Sequence, residues 1–160
     1  MIKVDQTTFG MPGGDCFSAC IASILELPLA DVPYFMGQTE EEGEEWWGKF
    51  EEWALPRGFY PILLNLTTEW RPSGLHVLSG KSPRGNFPHS LVASGKGEII
   101  HDPHPSRDGI DSRDDVVLLI PFDPAEKATR ILRAILEADE RGQGLPFAEA
   151  MQAAKNLVER

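Results

Sequence analysis

The chain has two cysteines and four histidines, and one residue of each kind stands where covalent chemistry would need it. Cys16 lies in the stretch Gly13-Gly14-Asp15-Cys16-Phe17-Ser18-Ala19-Cys20-Ile21-Ala22-Ser23-Ile24-Leu25. Its apolar residues at 17, 20, 21, 24 and 25 follow the spacing of one helix face. Asp15 or Gly14 is the expected N-cap, which puts Cys16 in the first turn. Amides there have no partner within the helix and the dipole favours negative charge. A thiolate, the form that attacks carbonyl carbon, is therefore favoured at that point. Cys16 sits at the edge of the apolar stripe and Cys20 in its middle, so the first is expected to react and the second to pack.

A cysteine nucleophile needs a base within hydrogen-bond reach and a group to orient that base. The histidines are His76, His89, His101 and His104. His89 opens an expected strand after Phe87-Pro88, and Asp102 ends the next one. Ser94-Gly95-Lys96-Gly97 between them suggests a tight hairpin. In an antiparallel pair the start of one strand lies beside the end of its neighbour. His89 is therefore the expected base and Asp102 its orienter. Gln6, on the arm before the helix, offers a side-chain amide that could join the Cys16 N–H in an oxyanion hole.

Other groupings are weaker. His101, Asp102 and His104 invite a metal reading, but His101 and Asp102 are neighbours on a strand and point to opposite faces. The spacing also matches no zinc template, so neither metal nor cofactor is expected. His104-Pro105-Ser106-Arg107 is expected to be a loop at the rim of the cleft, where His104 and Arg107 meet the substrate. Gly80-Lys81-Ser82 looks like the end of a phosphate-binding loop. Leu75 stands where that loop needs glycine, and Pro83 blocks the helix that must follow.

The elements that must position these residues follow from periodicity and turn chemistry. An extended arm over 1–14 leads into a helix from about Cys16 to Leu27, stopped by Pro28. A second helix is expected over about 44–56, with Trp46, Trp47, Phe50, Trp53 and Ala54 apolar, and Arg57-Gly58 as its end. Trp46 and Trp47 are adjacent and cannot both face inward, which makes them candidates for the substrate cleft or an interface. Five short strands follow, at 59–66, 75–79, 87–94, 98–102 and 116–122. Asp123-Pro124-Ala125-Glu126 resembles a capping box opening a helix to about Glu140, with another running to Arg160. Helices first and a mostly antiparallel sheet afterwards make an α+β fold. The tail either covers the sheet or forms a homodimer.

A chain of 160 residues is expected to be one domain with a real core. Its net charge of -10, concentrated in Glu40 to Glu52, would be repelled by nucleic-acid phosphates and anionic membranes. No apolar run approaches the roughly 18 residues of a membrane span. The start Met-Ile-Lys-Val-Asp-Gln lacks the apolar region of a signal peptide. Two cysteines four apart on one helix are poorly placed for a disulfide. Free thiols and a cytoplasmic location are expected.

The order Gln, Gly-rich lead, Asp-Cys-x-x-Ala-Cys on a helix, His opening a strand and Asp-Pro after the next strand resembles the papain-like superfamily of cysteine peptidases. The nearest likenesses are its small bacterial branches, the double-glycine leader peptidases and the cell-wall amidopeptidases, together with phage and prophage proteins of that fold. The likeness covers about 1–122 as a catalytic domain and leaves 123–160 as a helical extension. It implies that Cys16 attacks, His89 acts as base and then acid, Asp102 orients it and Gln6 forms the oxyanion hole. The implied substrate is a peptide or protein. In one respect the chain departs from the family, whose glutamine usually stands closer to its cysteine. The same residues would serve an acyltransferase or transglutaminase, and the rival from another class is a non-catalytic binding module on the same scaffold.

Overall fold

The computed structural model describes residues 1–10, 12–36, 45–66, 72–95, 97–123 and 125. The expected tail helices, the acidic stretch at 40–44 and the start of the second helix lie outside them. Two compact units are present: Met1–Glu51 with Pro61–Leu119, and Glu52–Tyr60 with Ile120–Arg160.

The architecture is α+β. Helices α1 (Cys16–Leu25) and α2 (Trp46–Ala54) precede strands β1 (Phe59–Asn65), β2 (Leu75–Lys81), β3 (Pro88–Ser94), β4 (Glu98–His101) and β5 (Asp115–Pro121). Each strand lies within two residues of the run expected from alternation and turn residues. The sheet order is β1-β5-β2-β3-β4, and β2 pairs antiparallel with both β3 and β5. One cluster of its core is Leu78, Leu91, Ala93 and Val116, with Leu66, Ile110 and Leu118 packed against it. Helix α1 packs on β3 and β2. No described helix is long and apolar enough to cross a membrane.

Helix α1 ends earlier than Pro28 would require. Glu26 takes the left-handed conformation at φ 58°, and its amide and that of Leu27 both donate to the Ala22 carbonyl. The backbone thus closes the helix before proline can. At the end of α2 the expected signal operates: Gly58 has φ 81° and donates to the Leu55 carbonyl, while Arg57 lies 4.2 Å over the Trp53 ring.

The arm is extended but closely held. The Val4 amide donates to Ser23 Oγ, the Gln6 amide to the Pro103 carbonyl, and His101 Nε2 lies 2.9 Å from the Val4 carbonyl oxygen. Residues 4–6 therefore run between α1 and the end of β4.

The β3–β4 hairpin forms as expected, with a bulge that matters for the site. Ser94 faces Glu98 and Ala93 faces Ile99, yet Val92 faces His101, so Ile100 is passed over. A straight ladder would have set His101 opposite Leu91. With the bulge, alternation puts His101 on the side of Val92 and the following residue, Asp102, on the side of Leu91 and His89.

Candidate active site

Cys16 is the first residue of α1 and half-buried, whereas Cys20 one turn later is fully buried. Burial, then the neighbouring Cys16 and Asp102, push the Cys20 thiol well up. Cys20 is a core residue, as its place in the stripe implies.

Asp15 occupies the N-cap position but makes no side-chain cap. Its carboxylate turns instead to the arm. Oδ1 accepts from the Thr7 and Thr8 amides, both at 3.0 Å, and Oδ2 accepts from Thr7 Oγ1 at 2.7 Å. Asp15 is the N-cap and Cys16 opens the helix, as expected, but the carboxylate itself does not cap. The carboxylate that would have occupied the first amides of α1 is spent on positioning the chain around Gln6. Those amides, that of Cys16 among them, are left for another acceptor. Gly14 lets the turn close: its amide donates to the Gly10 carbonyl at 2.9 Å, and a Cβ there would stand 2.5 Å from that oxygen.

His89 is buried at the start of β3. Nε2 lies 2.7 Å from Asp102 Oδ1, and the imidazole lines one cavity with Cys16. Burial works against a charged imidazole. The hydrogen bond to Asp102 and then the nearby Cys16 outweigh it, so the His89 pKa is raised. Asp102 is 4% exposed and holds four partners. Besides His89 these are the His104 amide at 2.9 Å, the Gly109 amide on Oδ2 at 2.8 Å, and the Arg107 guanidinium on its carbonyl. Burial opposes the carboxylate, but the bonds from His89, His104 and Gly109 prevail and bring its pKa down to about 2. Asp102 thus both starts the turn after β4 and orients the imidazole.

One cavity is lined by Gln6, Cys16, His89 and His104, together with Phe9, Gly14, Arg84 and Phe87. Gln6 is 7% exposed; its Nε2 donates to the Thr8 carbonyl at 2.8 Å, and its Oε1 is buried without a partner. One Nε2 hydrogen remains uncommitted. His104 packs edge-on to Phe9 and to His89, and burial followed by the charge on Arg84 lowers its pKa.

The remaining residues expected at the cleft stand elsewhere. Arg107 pairs with Asp5 at 2.7 Å and is committed to holding the arm and the Asp102 loop. Trp46 packs on Phe17 at 5.4 Å and Trp47 on Phe50 at 5.7 Å, so both lean on one aromatic cluster. Neither tryptophan nor Arg107 lines the cavity. Phe9 and Arg84 do, and neither was anticipated. Among the described residues, no group of three His, Cys, Asp or Glu side chains is arranged to hold a metal ion.

The assembled groups supply a thiol, a base paired with a carboxylate, and amide donors around one space. Such a set is able to form and resolve a thioester. Comparison with protein-family models, curated proteins and solved structures finds no match to this chain.

Proposed function

We propose that the chain is a papain-like cysteine hydrolase that cleaves a peptide or isopeptide bond through an acyl-enzyme on Cys16. The observation that carries this reading is the buried His89–Asp102 pair, 2.7 Å apart, whose imidazole shares one cavity with Cys16. Its papain-like character is supported by a cysteine opening a helix packed on an antiparallel sheet, with histidine early in β3 and aspartate just after β4.

In the first half-reaction the Cys16 proton passes to His89 Nδ1 as the sulfur bonds to the substrate carbonyl carbon. The carbonyl electron pair moves onto oxygen, where the Cys16 amide and the free hydrogen of Gln6 Nε2 receive it. His89 then protonates the leaving amine as the C–N bond breaks. In the second half-reaction His89 takes a proton from water, which attacks the thioester. Breaking the C–S bond frees the acid and returns the proton to sulfur. Asp102 stays ionised throughout and holds the ring. An amine in place of water would make the same steps an acyl transfer. Both cysteines are free, and a working thiol suits a reducing compartment such as the cytoplasm.

The test is iodoacetamide labelling of Cys16 and Cys20, followed by mass spectrometry from pH 5 to 9, on the wild type and on His89→Ala. Fast labelling of Cys16 alone, persisting below pH 7 and lost in His89→Ala, is the expected result. Slow labelling of both cysteines, unchanged by His89→Ala, would overturn the enzyme and leave a binding module on the same scaffold.

A further inference from the structure

The turn between β2 and β3 runs Ser82-Pro83-Arg84-Gly85-Asn86-Phe87 and is closed by the Ser82 amide donating to the Phe87 carbonyl at 3.0 Å. The Arg84 amide donates to the Ser82 hydroxyl at 3.2 Å, so the backbone that carries Arg84 is fixed. His89 follows on the same hairpin.

The Arg84 side chain is only 17% exposed and lines the cavity of Cys16 and His89. Its Nη1 donates to Ser106 Oγ at 3.1 Å and stands 3.8 Å from Asp108, whose carboxylate is half exposed. Its Nε and Nη2 are buried and bonded to nothing among the described residues. These two nitrogens form one edge of the guanidinium, the edge that meets a carboxylate with two parallel bonds. A buried cation with an unpaired edge is costly, and an anion that reached that edge would relieve the cost. A carboxylate supplies two oxygens at the matching spacing. Gln6, which also lines the cavity, has a second unpaired buried atom, the acceptor Oε1, which would suit a peptide N–H.

We propose that Arg84 is a substrate-anchoring residue and that the substrate carries a carboxylate beside the bond to be cut. Calling the ligand a substrate rests on the hydrolase reading; carboxylate binding itself does not. The carboxylate is either the C-terminus of a short leaving-side peptide or the side chain of an adjacent Asp or Glu.

The experiment is an NMR titration of the full chain with N-acetylglycylglycine, with its C-terminal amide, and with N-acetylglutamic acid α-amide, in which only the side-chain acid remains. The His89 and His104 ring signals report on the cavity. The proposal expects the free acids to shift these signals and the amide not to. It also expects Arg84→Gln to weaken acid binding roughly tenfold or more, and Arg84→Lys to restore part of it. A response to acetylglycylglycine alone assigns the C-terminal carboxylate, and a response to the glutamate compound alone assigns the side chain. Equal binding of acid and amide by the unaltered protein overturns the proposal without recourse to any variant, as does acid binding that survives Arg84→Gln. Cys16 labelling by iodoacetamide, measured in parallel, tests the hydrolase reading separately. Reactive Cys16 with no preference for acids removes Arg84 alone; an acid preference with an unreactive Cys16 removes the hydrolase alone.

Discussion

His89 Nε2 and Asp102 Oδ1 stand 2.7 Å apart across the β3–β4 hairpin, and each holds the other in its charged form. Folding lowers the Asp102 pKa from 3.8 to about 2, so its contribution to stability is present above pH 3.8 and lost as the pH falls through about 2. At about 1.4 kcal/mol per pKa unit this contribution is on the order of 2 kcal/mol. Folding raises the His89 pKa above 6.5, so its contribution is present below pH 6.5 and lost as the pH climbs through the raised value. Asp102→Asn is expected to lower stability near pH 5 by on the order of 2 kcal/mol, with the gap from wild type closing toward pH 2. Urea unfolding at a series of pH values measures it. The same substitution should slow iodoacetamide labelling of Cys16 if His89 serves as its base.

The Asp15 carboxylate serves the arm, and its removal should act at a distance. Asp15→Ala leaves the Thr7 and Thr8 amides without their acceptor, at a cost of roughly 1.5–3 kcal/mol for charge-assisted bonds. Hydrogen exchange at Thr7 and Thr8 should rise sharply. Hydrolysis, once a substrate is in hand, should fall more than the rate of Cys16 alkylation, because the loss falls on Gln6. Had Asp15 capped the helix, exchange would rise in the first turn of α1 instead.

Gln6 separates two kinds of reactivity. Alkylation by iodoacetamide builds no oxyanion, whereas attack on an amide does. Gln6→Ala is expected to leave Cys16 labelling within a few-fold of wild type while lowering kcat for amide cleavage by about 10²–10³. Equal losses in both assays would remove Gln6 from the oxyanion hole and make it a support for the loop.

Much of this arrangement is legible in the sequence because it depends on local rules. Strand limits follow from alternation and from Gly, Pro and Asp between runs, and the nearness of His89 and Asp102 follows from one tight turn. What escapes is set by groups far apart in the chain. An aspartate before a helix reads as a cap, and nothing local says that Thr7 and Thr8 will claim it. Arg84 lies in a Pro-Arg-Gly-Asn turn that reads as solvent-exposed, yet the chain around Phe9 and His104 buries it. Arg107 reads as a free cation until Asp5 is brought to it. The bulge at Ile100 leaves no mark in the sequence, since the residue has ordinary strand chemistry. Trp46 and Trp47 were set apart by helix geometry alone, which ignores how an aromatic cluster wraps around Phe17 and Phe50.

The Asp15 bonds to Thr7 and Thr8 close a loop of only eight and seven positions, and the His89–Asp102 bond one of thirteen. Gln6 and Cys16 flank the first loop directly, and His89 and Asp102 close the second. Each is the sort of short-range unit that forms early. A ribosome delivers them in that order, so the growing chain holds a cysteine and no base until the hairpin has emerged. The arm is held against Pro103 and His101, which ties the two loops together. On the hydrolase reading, thiol and base therefore meet only when the fold is nearly finished.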